Sequence, residues 1–227
     1  MVGADGLHSA TRALVFGPER QYLRHLGFYT ALATLPQYHA TGAPNPIYNF
    51  PGHLAGMVTY RDVALAVLTF RSSWIDYDYQ DLDAQKLILT EQFGRHDRWR
   101  VPELLEAARR DPQLYFDSVS QIDMPSWHRG RVVLVGDAAH CASPLSGRGT
   151  SLAITGTWLL AQALSDRAAG LDAAGLDAAG LDAAMAQYER EQRPHVTYAQ
   201  GTVGAGGDLI VPATAEAIDA RNRQLMQ

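Results

Sequence analysis

The residues best placed to do chemistry lie in one run, RVVLVGDAAHCASPLSGRGTSLAITGTWLLAQAL, from Arg131 to Leu164. Asp137 follows an apolar, β-branched stretch, Val132–Val135, which is the pattern of a strand buried on both faces. The carboxyl end of such a strand opens on the crevice where α/β sheets bind ligands. A carboxylate there accepts hydrogen bonds from sugar-like hydroxyls. Gly147 and Gly149 carry no Cβ, so a flat or anionic group can lie against their backbone. Leu152, Ile154, Trp158, Leu159, Ala161, Ala163 and Leu164 then have helical spacing, and the start of that helix offers unpaired amides and the positive end of its dipole. A triphosphate-binding P-loop is excluded, because no Gly-Lys-[Ser/Thr] occurs and Arg148 precedes Gly149. Asp137, His140 and Cys141 form D-x-x-H-C, which is not a zinc spacing, so His140 and Cys141 are read as turn packing and no metal is expected.

Taken whole, GDAAH-x3-P-x2-GxG resembles the second flavin fingerprint of the class A flavoprotein monooxygenases, the para-hydroxybenzoate hydroxylase family. The opening GADGLHSATR, with Asp5, Gly6, Ser9 and Arg12 in register, resembles that family's DG fingerprint, GADGxxSxxR. The resemblance spans almost the whole chain. It implies FAD as cofactor and NAD(P)H as co-substrate, with O2 used to hydroxylate an aromatic or polyketide-like small molecule. It places Asp5, Gly6 and Arg12 near the FAD pyrophosphate, Gly136 and Asp137 at the ribityl chain, and Pro144, Gly147, Gly149, Thr150 and Ser151 around the isoalloxazine. No side chain is assigned as acid, base or nucleophile, since the cofactor carries the hard chemistry. Reduction or halogenation on the same flavin fold stays open. Two departures stand out. Thr150-Ser151 follows the GxG where the family most often has Asn, and no GxGxxG occurs anywhere. Family members carry GxGxxG ahead of the DG motif. The expectation is a member truncated at its N-terminus. Its rival is an inactive remnant, or a subunit that needs a separate GxGxxG-bearing chain. Either would bind FAD weakly and tend to form a homodimer through an uncovered sheet edge.

These motifs need a particular scaffold. The fold expected is α/β with α+β elements: an incomplete Rossmann-like FAD-binding domain (1–20 and 123–227) holding an inserted antiparallel-sheet substrate domain (21–122). Ser9 is placed to cap a helix that Gly17-Pro18 stops. Residues 21–36, 47–50, 56–61, 63–71 and 115–122 read as strands, and 81–93 and 101–110 as helices, with Pro102 suited to a first turn. The resemblance implies that one face of such a sheet lies over the flavin. His39, Tyr48, His53 and Tyr60 lie on or near these strands, where the functional reading has some of them line an aromatic substrate pocket; each reads first as an ordinary packing or surface residue. Gly-Leu-Asp-Ala-Ala repeats three times, from Gly170, Gly175 and Gly180. Its leucines advance ~140° per repeat and share no helical face, so a surface loop or frayed helix end is expected. A helix over 183–194 should stop or kink at Pro194, a flexible loop should follow at 201–207, and 214–225 should form a last helix.

Composition narrows the partners. With 227 residues, 47% hydrophobic content and a net charge of −5, the chain has material for a large core and no basic patch for nucleic acid. Lys86 is its one lysine and Cys141 its one cysteine, so an internal disulfide is excluded. No apolar run nears the ~20 residues of a membrane span, and no secretory signal opens the chain. A soluble cytoplasmic protein acting on a small aromatic molecule is the reading that results.

Overall fold

The chain opens on a two-residue strand, β1 (Val2–Gly3), and turns into α1 (Ala10–Val15). Ser9 caps that helix, its Oγ accepting from Arg12 N at 2.8 Å. Then come β2 (Leu23–Thr34), β3 (Ile47–Phe50), β4 (His53–Tyr60) and β5 (Val63–Arg71). Two helices follow, α2 (Leu82–Phe93), capped by Asp81, and α3 (Val101–Arg110), with Pro102 in its first turn. The strands β6 (Tyr115–Ile122), β7 (His128–Arg129) and β8 (Val132–Leu134) lead to a single helical turn, α4 (Asp137–His140). Four helices complete the order: α5 (Gly149–Ala168), α6 (Ala178–Gly201), α7 (Val203–Ile210) and α8 (Ala215–Leu225). This computed structural model describes residues 1–38, 45–168 and 177–226. His39 and repeat residues 170–176 lie outside the described residues, as does the side chain of Tyr60.

The chain folds as two units, Met1–His25 with Ser120–Gly206, and Leu26–Val119 with Gly207–Gln227. The first holds a sheet in the order β1-β8-β7, with β1 parallel to β8 (Val2 opposite Val133, Gly3 opposite Leu134). Its core joins Trp127, Val133, Leu134, Ala138, Leu152, Leu160, Tyr188 and Val196. The helices α5 and α6 pack closely at Gly156, where a Cβ would lie 3.2 Å from Gln192 Nε2. That amide donates to Leu152 O at 2.9 Å, so the glycine makes room for a buried polar fastening between the two helices.

The second unit is a five-stranded sheet in the order β3-β4-β5-β2-β6, antiparallel across β3/β4, β4/β5 and β5/β2. Alternation sends Tyr29, Ala31, Ala55, Ala66, Leu68 and Phe70 into a core closed by Leu89 and Phe93 of α2 and Leu104 and Ala108 of α3. Small alanines on the strands let the helices sit close, and the rings fill the remaining space. Phe93 meets Phe50, His53 and Phe70 edge-on, at centroid distances of 5.9, 5.2 and 6.2 Å. The opposite face carries Thr30, Leu32, Leu65, Val67 and Thr69, with the Thr30 and Thr69 hydroxyls hydrogen-bonded at 2.9 Å. His53 donates Nδ1–H to Pro51 O and stacks on Phe50, and Tyr48 stacks on Trp99.

Two expectations change. Pro194 does not end its helix: α6 runs on to Gly201. The proline is exposed, while Tyr188, Gln192, Val196 and Ala199 are buried on both sides of it. That buried row offsets the roughly 3 kcal/mol an internal proline costs. The glycine-rich stretch after Gly201 is also helical from Val203, anchored by the buried Val203 and Val211. The segment Gly207–Gln227 groups with the sheet unit.

Replacing Phe93 by Ala should cost about 3–5 kcal/mol in chemical denaturation, because three rings lose a common partner. Burial and neighbouring His53 hold His96 below its ordinary 6.5, and burial lowers His140 to about 4. The unfolded chain therefore takes up these protons first, so thermal stability should decline as pH falls from about 6.5 toward 4. A melting-temperature series should show His96→Phe flattening part of that slope.

Candidate functional site

The parallel strand β8 delivers Val135, Gly136 and Asp137 to the head of α4. Gly136 has φ 60° and ψ −143°, a backbone conformation open essentially to glycine alone, and a Cβ there would meet Ala153 Cβ at 3.4 Å. Ser143 adopts φ 78°, rare for a residue with a side chain, and caps a short 3-10 turn through Leu145 N. Gly147 closes that turn in the left-handed region before α5 begins at Gly149. The first α5 residue whose amide closes onto the helix is Leu152, bonded to Arg148 O, so the preceding amides face outward at the helix head.

These pieces surround an open hollow of about 380 Å³ lined by Ala4, Gly6, Val135, Gly136, Asp137, Gly149, Thr150, Ala153, Ile154 and Thr157. Of the ten residues the sequence singles out, it thus brings together Gly6, Gly136, Asp137, Gly149 and Thr150. Asp5 is spent locally: its Oδ1 accepts from Ser9 Oγ at 2.6 Å and its Oδ2 from Thr11 N at 2.9 Å. Desolvation alone would raise its pKa, but these hydrogen bonds outweigh it and lower the group from 3.8 to about 2. Arg12 is fully buried, its guanidinium donating to Leu7 O, Ala138 O and Glu19. Pro144 and Gly147 shape the turn without lining the hollow, and Ser151 lines a neighbouring hollow with Arg148, His195 and Tyr198.

Ala153, Ile154 and Thr157 escape a motif search. Their spacing after Thr150 puts them on one helical face, a signal present in the sequence. His140 is buried, 3.3 Å from Tyr188 Oη and against Trp127, and burial lowers its pKa to about 4; it does not line the hollow. Among the described residues no group of three or more His, Cys, Asp or Glu could hold a metal. No helix among them is long and apolar enough to cross a membrane.

Comparison with known proteins gives this geometry a setting. Residues 117–200 match the family model described as an FAD binding domain. A flavin-dependent monooxygenase of Legionella longbeachae is 35% identical over 166 residues, 72% of this chain and 42% of that protein. The FAD-dependent monooxygenase asL6 of Sarocladium schorii is 30% identical over 212 residues, 88% of this chain and 47% of its own. Among solved structures, the tetracycline destructase Tet(55) superposes with a TM-score of 0.77 at 32% identity, over 99% of this chain and 58% of that one. Over most of its length the chain is thus similar to flavin-dependent monooxygenases, and residues 117–200 match an FAD binding domain. The chain spans about half the length of the curated relatives it matches: an uncharacterized Mycobacterium tuberculosis protein, 42% identical, is covered over 46% of its length.

The residues around the hollow fit FAD. A flat ring system needs a wall that a Cβ would obstruct, and Gly136, Gly149 and Gly6 supply one beside a single carboxylate. Gly136→Ala should cost about 1–3 kcal/mol by denaturation and also narrow the hollow. Arg12→Leu should cost about 3 kcal/mol, since two carbonyls and Glu19 lose their donor. Arg12→Lys, which keeps the charge without the fork, should fall between the two.

Proposed function

We propose that this chain supplies the flavin end of an FAD-dependent monooxygenase, which uses NAD(P)H and O2 to hydroxylate an aromatic or polyketide-like small molecule. The observation that carries this reading is the meeting of the two fingerprints: Ala4 and Gly6 from the first, and Gly136, Asp137, Gly149 and Thr150 from the second, line one hollow. On this reading Asp137 accepts hydrogen bonds from the ribityl hydroxyls. The head of α5, with Gly149 and Thr150, would hold the isoalloxazine, and its helix terminus would stabilise negative charge there by roughly 0.3–2 kcal/mol. Pro144, Gly147 and Ser151 hold the approach to that ring system. Asp5, Gly6 and Arg12 fix the DG turn toward the pyrophosphate, Asp5 and Arg12 through the turn's internal hydrogen bonds. FAD itself supplies the redox chemistry when bound, and the protein orients and shields it.

Two further observations support the substrate class. One face of the five-stranded sheet carries the half-buried Leu32, Leu65 and Val67 beside the hydrogen-bonded pair of half-buried Thr30 and buried Thr69, an apolar surface with little polarity. The similar protein Tet(55) is a tetracycline destructase, so a related fold handles a polycyclic compound.

The sequence holds no GxGxxG, the turn that binds the adenosine-side phosphates in this family. Contacts are therefore concentrated at the flavin end, and FMN should bind the 227-residue chain about as tightly as FAD. Asp137→Ala should weaken both by about 10–100-fold, the worth of a charge-assisted hydrogen bond. Flavin fluorescence titration measures both. Affinity for FAD far above FMN, or an Asp137→Ala chain that binds like the parent, sinks the assignment.

A further inference from the structure

The sheet unit contains a second cavity, which shares no residue with the flavin hollow and whose assignment does not depend on the proposed function. About 540 Å³ in volume, it is lined by Ile47, Tyr48 and Asn49 of β3, Leu209 and Ile210 of α7, and residues of α8. That volume lies within the range of roughly 300–1,000 Å³ typical of small-molecule sites. Its walls are mostly aliphatic, and several stay partly open to solvent: Ile47 is 55% exposed, Leu209 49% and Leu225 70%.

One charged side chain lines this cavity, Arg221. Its Nη1 donates to Asn49 Oδ1 at 2.9 Å and to Leu209 O at 3.0 Å; Nε and Nη2 both reach Asn222 Oδ1, at 3.2 and 2.9 Å. Every one of these acceptors is neutral, and no ion pair among the described residues includes Arg221. Asn49 is itself pinned, its Nδ2 donating to His53 O and Ile210 O. The guanidinium is thus held in place at an apolar wall with its charge uncompensated. A partly desolvated cation is costly until an anion joins it, and one N–H of Nη2 is left over from these bonds to donate to a carboxylate as a charge-assisted hydrogen bond.

We propose that this cavity binds an amphipathic monocarboxylate, with its apolar tail along Ile47, Leu209, Ile218 and Leu225 and its carboxylate accepting from the remaining N–H of Arg221 Nη2. A purely structural role for Arg221, fastening α8 to β3, explains the bonds to Asn49 and Leu209. It does not call for an unneutralised charge beside a cavity of this size, since a neutral amide donor would serve.

The test uses the full chain loaded with FMN, with decanoate and its uncharged counterpart decanol as probes in calorimetry. Decanoate should bind at one site, more tightly than decanol by at least tenfold. Arg221→Gln should remove that preference, bringing decanoate down to the level of decanol. Ile218→Trp, which fills the cavity while leaving the cation, should abolish binding of both and leave FMN titration unchanged. Should Arg221→Gln fail to fold, the Ile218→Trp result with the decanoate–decanol comparison decides the matter. Equal affinity for the two probes, decanoate binding unaffected by either variant, or no binding at all overturns the proposal. Because FMN occupancy is read separately, failure here is distinguishable from failure of the flavin assignment.

Discussion

The flavin-binding unit depends on one buried cation. Arg12 sits within α1 with no exposure to solvent, and its guanidinium ties Leu7 O in its own motif to Ala138 O in the other, while Glu19 balances the charge. A buried guanidinium is costly unless its charge and most of its hydrogens are met; here Glu19 meets the charge and Nη1 and Nη2 both donate, while the buried Nε–H has no hydrogen-bond partner. That requirement works in reverse as a positional constraint. The carbonyl of Ala138, in α4, must stay within 3.0 Å of a residue 126 positions earlier, which fixes the DG turn beside the strand end that bears Asp137. The hollow is shaped by bonds that do not themselves face a ligand.

The DG and GD strings were legible as motifs because glycine and a short carboxylate at fixed offsets have few other uses. The roles within them were less so. Asp5 and Arg12 look like ligand-facing charges in a linear reading, yet the structure commits Asp5 to Ser9 and Thr11, and Arg12 to backbone carbonyls. A string records that a residue is charged; which partner meets the charge is set by tertiary contacts, here across more than half the chain. Pro194 fails as a stop signal for a related reason. Local propensity predicts a break, but residues buried before and after it on α6 keep the helix going. The sheet unit was easier to read, since alternation of apolar residues along β2, β4 and β5 is itself the packing instruction.

Backbone strain collects where the two fingerprints meet. Gly136 and Ser143 both hold conformations that ordinary residues avoid, and they flank α4 on either side. Such strain persists only when the surroundings over-determine it. Here the surroundings are the sealed layer of Trp127, His140 and Tyr188, with Tyr188 Oη reaching Leu134 O at 3.2 Å. Glu189, from the same helix as Tyr188, accepts from Ser126 Oγ and Trp127 N and so locks the loop that leads into β7. The aromatic layer is therefore a rigid base for a floor built of glycine.

This division of labour bears on how the chain would do chemistry. Among the described residues lining the hollow, Asp137 is the one titratable side chain. A hollow so poor in acids and bases is suited to placing a reactive cofactor rather than to moving protons itself. The sheet unit, taken by itself, carries a face of branched aliphatic side chains with the paired hydroxyls of Thr30 and Thr69, backed by a core dense with stacked rings.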